Sequence, residues 1–377
     1  MRRSSLVLVV FICGALTTGA PALAAQGRAG QRIPGRYIVA VKQSGDPAAV
    51  ARRHHAAGRH VFRTLHGFAA RLDARQVRAL RHSPRVAYVE PDRVVTLAAT
   101  QTMDSQGQPW GLDRIDQRNL PLSRTYSYNS TGAGVTAYVI DTGIATGLAD
   151  FTGRAANVYD AFGGNGADCN GHGTHVAGTI GGATYGVAKT VNLRGVRVLN
   201  CSGSGSVSGI ITALDWVRTH AVRPAVANMS LGGGFSSSLN TAANNLANSG
   251  VFLAVAAGNE NQSACNVSPA SASAAYTAAA SDSTDKRASF SNWGSCVDGY
   301  APGVAIKSDW YTGGTNTISG TSMATPHVTG VGALYKSTFG DASSSTVASW
   351  INANATAGVI RSNRTGTPNR LLYKAGL

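Results

Sequence analysis

The sequence predicts an α/β protein with a parallel, doubly wound sheet, preceded by a small α+β domain of ferredoxin-like order. Three observations carry this expectation. Continuous apolar, β-branched runs recur at residues 135–140, 191–199, 225–229 and 251–256, as strands buried on both faces require. Helical stretches at residues 208–220 and 239–249 alternate with them, which argues for parallel strands joined by crossover helices. The third is an order of β-α-β-β-α-β within residues 36–92, the split βαβ pattern.

Taken in order, residues 1–25 read as a secretory signal. Arg2-Arg3 is followed by an apolar stretch from Leu6 to Leu16, then by Pro21-Ala22-Leu23-Ala24-Ala25 as a small-residue cleavage site. The apolar stretch is short of the roughly 20 residues a membrane-spanning helix needs. The expected product is secreted and extracellular, with no membrane association in its mature form. A net charge of +15 on 377 residues first suggests nucleic acid. However, residues 1–100 carry +12 of it and residues 101–377 only +3. The basic part lacks the interleaved aromatics that stack on bases, so no nucleic-acid partner is expected.

After a polar linker, residues 37–41 alternate like a strand. Asp46-Pro47 makes a helix start, with Asp as cap and Pro in the first turn, leading into residues 48–57. Residues 61–65 and 67–72 read as strands joined by a tight turn. Asp73 caps a second helix over 74–82, and residues 86–90 form a last strand before Pro91. His54, His55, His60, His66 and His82 all lie here and read as surface residues. Residues 96–108 are small and polar, an exposed joint.

In open parallel sheets, function collects outside the carboxyl ends of the strands. Five glycine-rich stretches, three of them directly after predicted strands, bear on that test. Asp141-Thr142-Gly143 ends the first buried strand, where a carboxylate is rigidly held and suited to orienting a histidine. Asn170-Gly171-His172-Gly173-Thr174-His175 places His172 between two glycines at a helix start, free to meet another side chain, whereas His175 reads as structural. His-x-x-His here has no Glu within it and no third ligand nearby, so zinc is not expected. Asn228-Met229-Ser230-Leu231-Gly232-Gly233-Gly234 and Val255-Ala256-Ala257-Gly258-Asn259 leave backbone groups open to an extended partner chain. Neither has the Gly-Lys-Ser/Thr ending of a phosphate loop. Finally, Gly320-Thr321-Ser322-Met323-Ala324-Thr325-Pro326 runs into the apolar segment 328–335. Ser322 thus sits at a helix N-terminus, where backbone N–H groups and the dipole favour negative charge. Alone it reads as a helix cap; beside Asp141, His172 and Asn259 it reads as a nucleophile.

Of five cysteines, Cys13 lies in the signal. Cys169, Cys201, Cys265 and Cys296 remain, and an exported chain favours disulfides, with three pairings possible.

Val139-Ile140-Asp141-Thr142-Gly143, Gly171-His172-Gly173-Thr174-His175 and Gly320-Thr321-Ser322-Met323-Ala324-Thr325-Pro326-His327 resemble the motifs of the subtilisin-like serine proteases, in particular the proteinase K and aqualysin group. With Ser230-Leu231-Gly232-Gly233 and Ala257-Gly258-Asn259, the resemblance runs from about Trp110 to the end of the chain. Residues 36–92 resemble the family's inhibitory propeptide. The resemblance implies a subtilisin-like fold with Ser322 as nucleophile, His172 as general base and then acid, Asp141 as the group orienting His172, and Asn259 as oxyanion donor. Ser230, Leu231, Gly232, Ala256, Ala257 and Gly258 would flank the substrate, with Gly203, Ser204 and Gly205 as the opposite edge. It pairs Cys169 with Cys201 and Cys265 with Cys296; closing loops of about 30 residues would contribute roughly 3–4 kcal/mol each.

The resemblance also implies structural Ca²⁺ and no organic cofactor. One site would use the carbonyls of Ser273 and Ala275 and the Asp298 carboxylate; a second would use Asp113, Asp116 and Gln117. Ser123 stands at the next ligand position of the second, where relatives have Asp. Val176 replaces the free cysteine that proteinase K has beside its histidine, so thiol sensitivity is not expected. Leu148 and Tyr276 are further departures, the second consistent with the different disulfide set. The expectation is a secreted, monomeric serine endopeptidase working through an acyl-enzyme. Its parts would be a signal at 1–25, a propeptide at 26–100 acting as chaperone and inhibitor, and the peptidase at 101–377. Its substrates would be proteins and peptides. Main-chain recognition implies broad specificity, with an apolar or aromatic preference because the assigned pocket residues hold no acidic cluster.

Overall fold

The computed structural model describes residues 32–62, 66–93 and 99–377; the signal segment lies outside them. The first unit comprises β1 (Arg32–Val41), α1 (Pro47–Arg53), β2 (Ala57–Phe62), β3 (Gly67–Arg71), α2 (Ala74–Arg81) and β4 (Val86–Arg93). Its sheet is antiparallel in the order β2-β3-β1-β4, with Val39, Val50, Phe68 and Leu80 in the core. Both capping expectations hold. Asp46 accepts from Ala48 and Ala49 N–H, and Asp73 forms a reciprocal box with Gln76. Helix α1 is shorter than its sequence suggests, because His55 takes φ +52° and turns the chain into β2.

The second unit opens with β5 (Ala99–Thr102), α3 (Trp110–Asp116) and β6 (Thr125–Tyr128). Part of the expected joint is therefore a strand: β5 pairs antiparallel with β6. Then come β7 (Thr136–Asp141), β8 (Ala155–Asp160), α4 (His172–Gly181), β9 (Asn192–Arg197), α5 (Val207–His220) and β10 (Ala225–Met229). These are followed by β11 (Gly233–Gly234), α6 (Ser237–Asn248), β12 (Phe252–Ala256), β13 (Val267–Ser268), β14 (Tyr276–Ser281) and β15 (Gly299–Pro302). The chain closes with β16 (Ile306–Asp309), β17 (Thr315–Ile318), α7 (Thr321–Phe339), α8 (Ser344–Asn354), β18 (Thr356–Ala357) and β19 (Arg370–Leu371). Among the described residues no helix is long and apolar enough to cross a membrane.

The main sheet runs β18-β19-β15-β14-β12-β10-β7-β9-β8 and is parallel except for the β18–β19 edge. Alternate β7 residues enter opposite cores. Ala137 and Val139 meet Val176 and Val328 under α4 and α7, while Tyr138 and Ile140 meet Leu214 and Leu246 under α5 and α6. That two-sided burial is why the strand reads as one apolar run. Helix α7 lies close on the sheet because a Cβ at Gly332 would fall 2.3 Å from Phe252 Cδ1. From β7 the chain builds β8 and β9 on one side, then crosses to β10 on the other. The reversal opens a crevice beyond the carboxyl ends of β7 and β10, where Asp141 and Ser230 stand.

Candidate active site

Asp141 ends β7, fully buried, and His172 begins α4. Asp141 Oδ1 accepts from Thr142 N–H (2.7 Å) and from His172 Nδ1 (2.7 Å); its buried Oδ2 has no donor among the described residues. A carboxylate only accepts, so Nδ1 carries the ring proton and Nε2 is left with its lone pair. Burial disfavours the charged ring, but the Asp141 charge, its hydrogen bond and the Asp168 charge outweigh that and raise the His172 pKa above its ordinary value. His175 differs. Buried, with Nε2 on the Ile306 carbonyl (3.0 Å), it is pushed down to about 4 by burial and stays neutral.

The start of α4 is held entirely by side chains. His172 N–H donates to Asn170 Oδ1, Gly173 N–H to Thr142 Oγ1 and Thr174 N–H to Asp168 Oδ2. Asp168 is a positioning residue that sequence reasoning missed. It also takes hydrogen bonds from Thr142 Oγ1, Asn170 N–H, Gly171 N–H and Thr174 Oγ1. The available signal was an Asp just ahead of a helix start, a capping position. Gly171 adopts φ +109°, and a Cβ there would sit 2.4 Å from the Trp310 ring, so only glycine brings His172 into place.

Ser322 is the second residue of α7. Pro326, inside the first turns of that helix, has no N–H to give to the Ser322 carbonyl four residues back. Ser230 Oγ supplies the missing donor (2.7 Å), and Ser322 Oγ donates in return to the Ser230 carbonyl (3.1 Å). The strand-end residue and the helix start are thus locked together. In this resting arrangement Ser322 Oγ points to Ser230 rather than to His172. Catalytic hydrogen bonds commonly tighten only once substrate is bound.

Asn259 follows β12. Its Oδ1 accepts from Thr321 N–H (2.8 Å) and Thr321 Oγ1 (2.9 Å), which fixes the amide so that Nδ2 faces outward. Thr321, unremarked in the sequence, is the residue that sets this orientation; it also accepts from Gly258 N–H (3.1 Å). Asn259 Nδ2 and Ser322 N both lie 3.6 Å from the point where a Cβ on Gly320 would stand. With Met323 Sδ at 3.7 Å, these two nitrogens border the small space that the absent side chain leaves.

Two clefts flank these groups. The larger, about 450 Å³, runs past His172 between Gly203, Ser204 and Gly205 on one side and Ser230, Leu231 and Gly232 on the other. The smaller, about 250 Å³, opens beside Ser322 and Asn259 and is lined by Ala256, Gly258 and Glu260 among others. Ala257 is the exception among the expected substrate residues. It is fully buried, its N–H donates to the Ala278 carbonyl, and it lies beneath the cleft. Glu260, which sequence reasoning left out, brings one exposed carboxylate to the smaller cleft, where Asn292 Nδ2 holds it (2.8 Å). Cys169 is bonded to Cys201 and Cys265 to Cys296.

Comparison with known proteins bears on this geometry directly. Residues 132–374 match the model of the subtilase family, and residues 36–98 match that of the peptidase inhibitor I9 family. The chain belongs to the subtilase family. This subtilase is an enzyme of the serine-proteinase class with an I9 inhibitor domain ahead of it. It is 48% identical to the extracellular serine proteinase of Thermus sp. (strain Rt41A), over 99% of both chains. It is 55% identical to alkaline serine exoprotease A of Vibrio alginolyticus over 82% of its own length, and spans 59% of that protein. A solved cold adapted subtilisin-like serine proteinase matches 70% of the subtilase and 97% of its own chain, at TM-score 0.69 and 55% identity.

The expected calcium sites of the subtilase fare differently. Among its described residues no three His, Cys, Asp or Glu side chains cluster as metal ligands, so a cation must lean on carbonyl or hydroxyl oxygens. Asp298 fits that need. Its half-buried carboxylate takes one hydrogen bond, from Thr277 N–H (2.8 Å), and no salt bridge among the described residues, and burial pushes it up to about 6. The set Asp113, Asp116 and Gln117 does not fit, and this corrects the sequence expectation. Asp113 accepts from Ser123 N–H and Oγ and from Arg124 N–H. Asp116 pairs with Lys374 Nζ (2.9 Å) and accepts from Ser127 N–H, and Gln117 Oε1 takes the Ser123 N–H. Ser123 and Lys374 supply the protons and positive charge a metal would have supplied.

Proposed function

We propose that this subtilase is a secreted, self-processing endopeptidase that cuts proteins through an acyl-enzyme, with Ser322, His172, Asp141 and Asn259 as its catalytic residues. The observation that carries the reading is that Asn259 Nδ2 and Ser322 N border one point in the cleft that Ser322 lines. A peptide pairs its backbone with Gly203, Ser204 and Gly205 on one side and Ser230, Leu231 and Gly232 on the other, and its carbonyl enters the space left by Gly320. Ser322 Oγ swings from the Ser230 carbonyl to His172 Nε2, gives up its proton there and attacks the carbonyl carbon. The oxyanion takes hydrogen bonds from Asn259 Nδ2 and Ser322 N–H. His172 then passes the proton to the leaving amine, and water hydrolyses the acyl-enzyme by the same steps. Asn259→Ala is expected to lower kcat about 100- to 1000-fold with KM little changed, a size carried over from the loss of one such donor in subtilisin. A KM effect of equal size in steady-state kinetics would place Asn259 in binding instead.

The smaller cleft is floored by small residues and has a single carboxylate, Glu260, at its rim, which supports broad specificity with a preference for apolar or aromatic side chains. The domain reading is a signal at 1–25, a propeptide at 26–100 that chaperones and inhibits its own enzyme, and a monomeric peptidase at 101–377. The extracellular names of the relatives support export. N-terminal sequencing of secreted protein, with a peptide-library cleavage profile, tests boundary and specificity together. A mature N-terminus far from residue 101, or strict cleavage after basic residues, would overturn this part.

Ca²⁺ bound by Asp298 with the carbonyls of Ser273 and Ala275 would supply the positive charge that carboxylate lacks. Its folded pKa is raised, so without a cation stability is greatest at low pH and falls as pH rises from about 4 to about 6. A chelator is therefore expected to lower the thermal midpoint more at pH 8 than at pH 4.5, and Asp298→Asn to reduce that difference. A chelator effect of unchanged size in the variant would remove Asp298 from the cation.

A further inference from the structure

Two carboxylates outside the catalytic cleft face each other with no donor between them. Asp150 sits in the short helical turn Ala149–Phe151, Asp309 ends β16, and the C-terminal end of α4 lies against both. Asp309 is 4% exposed, and its Oδ2 has no hydrogen-bond partner among the described residues. The adjacent Ser308 hydroxyl, fully buried, has none either. Both are aimed at the same place: a Cβ built on Gly178 would lie 2.4 Å from Ser308 Oγ and 2.6 Å from Asp309 Oδ2. One turn further, a Cβ on Gly182 would lie 2.3 Å from Asp150 Oδ2, 2.9 Å from the Gly178 carbonyl oxygen and 3.0 Å from Asp309 Oδ2. Glycine at these two positions leaves a cradle lined by oxygen.

The neighbouring cations do not fill it. Lys189 Nζ donates to Gln101 Oε1 and to the Ala183 and Gly186 carbonyls, and Lys307 pairs with Asp104 (3.0 Å). The Thr184 N–H is shared between both oxygens of Asp150. Arg154, whose charge acts on Asp150, places its guanidinium on the Gly181, Val191 and Asp150 backbone carbonyls rather than on the carboxylate, and Tyr185 is neutral at ordinary pH, since burial raises its pKa further. The carbonyl end of α4 adds partial negative charge. Burial, the Asp150 charge and a side-chain hydrogen bond with Asp150 together raise the Asp309 carboxyl to about 8, as fits two carboxylates that meet without a positive partner.

We propose that Asp150, Asp309, Ser308 and the Gly178 carbonyl form a binding site for a hard divalent cation. The donors are all oxygen, two carboxylates match a double positive charge, and Asp309 Oδ2, common to the oxygens around both glycines, joins the two sets into one oxygen-lined space of the kind a cation of Ca²⁺ size takes. The bound ion ties the 149–151 turn and the β16–β17 hairpin to the far end of the helix that begins with His172. The only other way to relieve two facing carboxylates is a single proton shared between them, and the two differ in what they respond to.

The test uses the full chain carrying Ser322→Ala, to prevent self-digestion, and Asp298→Asn, so that a cation at Asp298 does not contribute. After chelation and dialysis at pH 8, Ca²⁺ alone is titrated in by calorimetry and the thermal midpoint followed. One equivalent of Ca²⁺ is expected to bind and raise the midpoint by mass action. Adding Asp309→Asn is expected to abolish both responses, and Ser308→Ala to weaken binding roughly tenfold or more, as loss of a site's supporting group does. The Ser308 variant carries the test if the Asp309 variant does not fold. Absence of Ca²⁺ binding in the parent overturns the site, as does binding unchanged in these variants. An Asp309→Asn chain more stable than its parent at pH 8, in a parent indifferent to Ca²⁺, assigns the pair to a shared proton and overturns it equally.

Discussion

The Ser322→Ala chain is expected to accumulate as an uncleaved, inactive proprotein with its fold intact. The substitution removes one oxygen from a cleft wall, and that oxygen's single hydrogen bond goes to the Ser230 carbonyl at the edge of the cleft. The bond that secures the helix start is the other one, from Ser230 Oγ to the Ser322 carbonyl, and alanine keeps it. Stability should therefore change little, while the proposed nucleophile is gone. The expected loss in kcat is about a millionfold, the size known for loss of the nucleophile in subtilisin's own triad. The same loss should block separation of the I9 domain, residues 36–98, from the peptidase, because the proposed self-processing uses the same nucleophile. Intact mass of the purified variant and hydrolysis of a peptide substrate check both halves. Spontaneous conversion of the pure variant to mature length would transfer the cut to another group and sink the assignment.

The parts of this site that could be read from residues were those the chemistry itself demands. The proposed catalytic residues Asp141, His172, Asn259 and Ser322 stand among glycines after strands or at helix starts, where a reacting group would have a rigid base and open surroundings. What could not be read is how distant segments complete one another. Pro326 announces a missing hydrogen bond, but nothing adjacent in the sequence says that Ser230 Oγ supplies it. Asp168 resembles any helix cap, yet its charge acts on His172. Ala257 shares a motif with two cleft residues, yet its N–H on the Ala278 carbonyl holds it in the core. Strand β14, Tyr276–Ser281, is central to the sheet and was missed, since its small alanines lack the β-branched signal. The Asp113 set failed for a related reason: its pattern matches a cation site, while Lys374 at the far end of the chain occupies the charge.

Asp141→Asn is expected to cost about 10⁴-fold in kcat, the size known for the corresponding change in a serine-protease triad of another fold. The cause can be followed atom by atom. Asp141 Oδ1 accepts the His172 Nδ1 proton, which keeps Nε2 free to take the Ser322 proton. An asparagine amide at this buried position can donate to Nδ1 instead, which moves the ring proton to Nε2 and leaves no base facing the serine. The pH profiles separate this from a packing defect. In the parent, the charges of Asp141 and Asp168 raise the His172 pKa against its burial. The neutral base therefore forms only as pH rises through a value above 6.5, and kcat/KM should climb with pH through that region. With the Asp141 charge gone, burial dominates and the residual activity should titrate at lower pH. Stability follows the opposite sense. A raised folded pKa stabilises the protein fully below the unfolded value and is lost as pH rises through the folded one. The stability gap between parent and variant should thus be wider at pH 5 than at pH 9, measured on chains that also carry Ser322→Ala. A uniform gap across pH, together with an acid limb that stays in place, would show that Asp141 acts through packing alone and that its charge does not set the histidine.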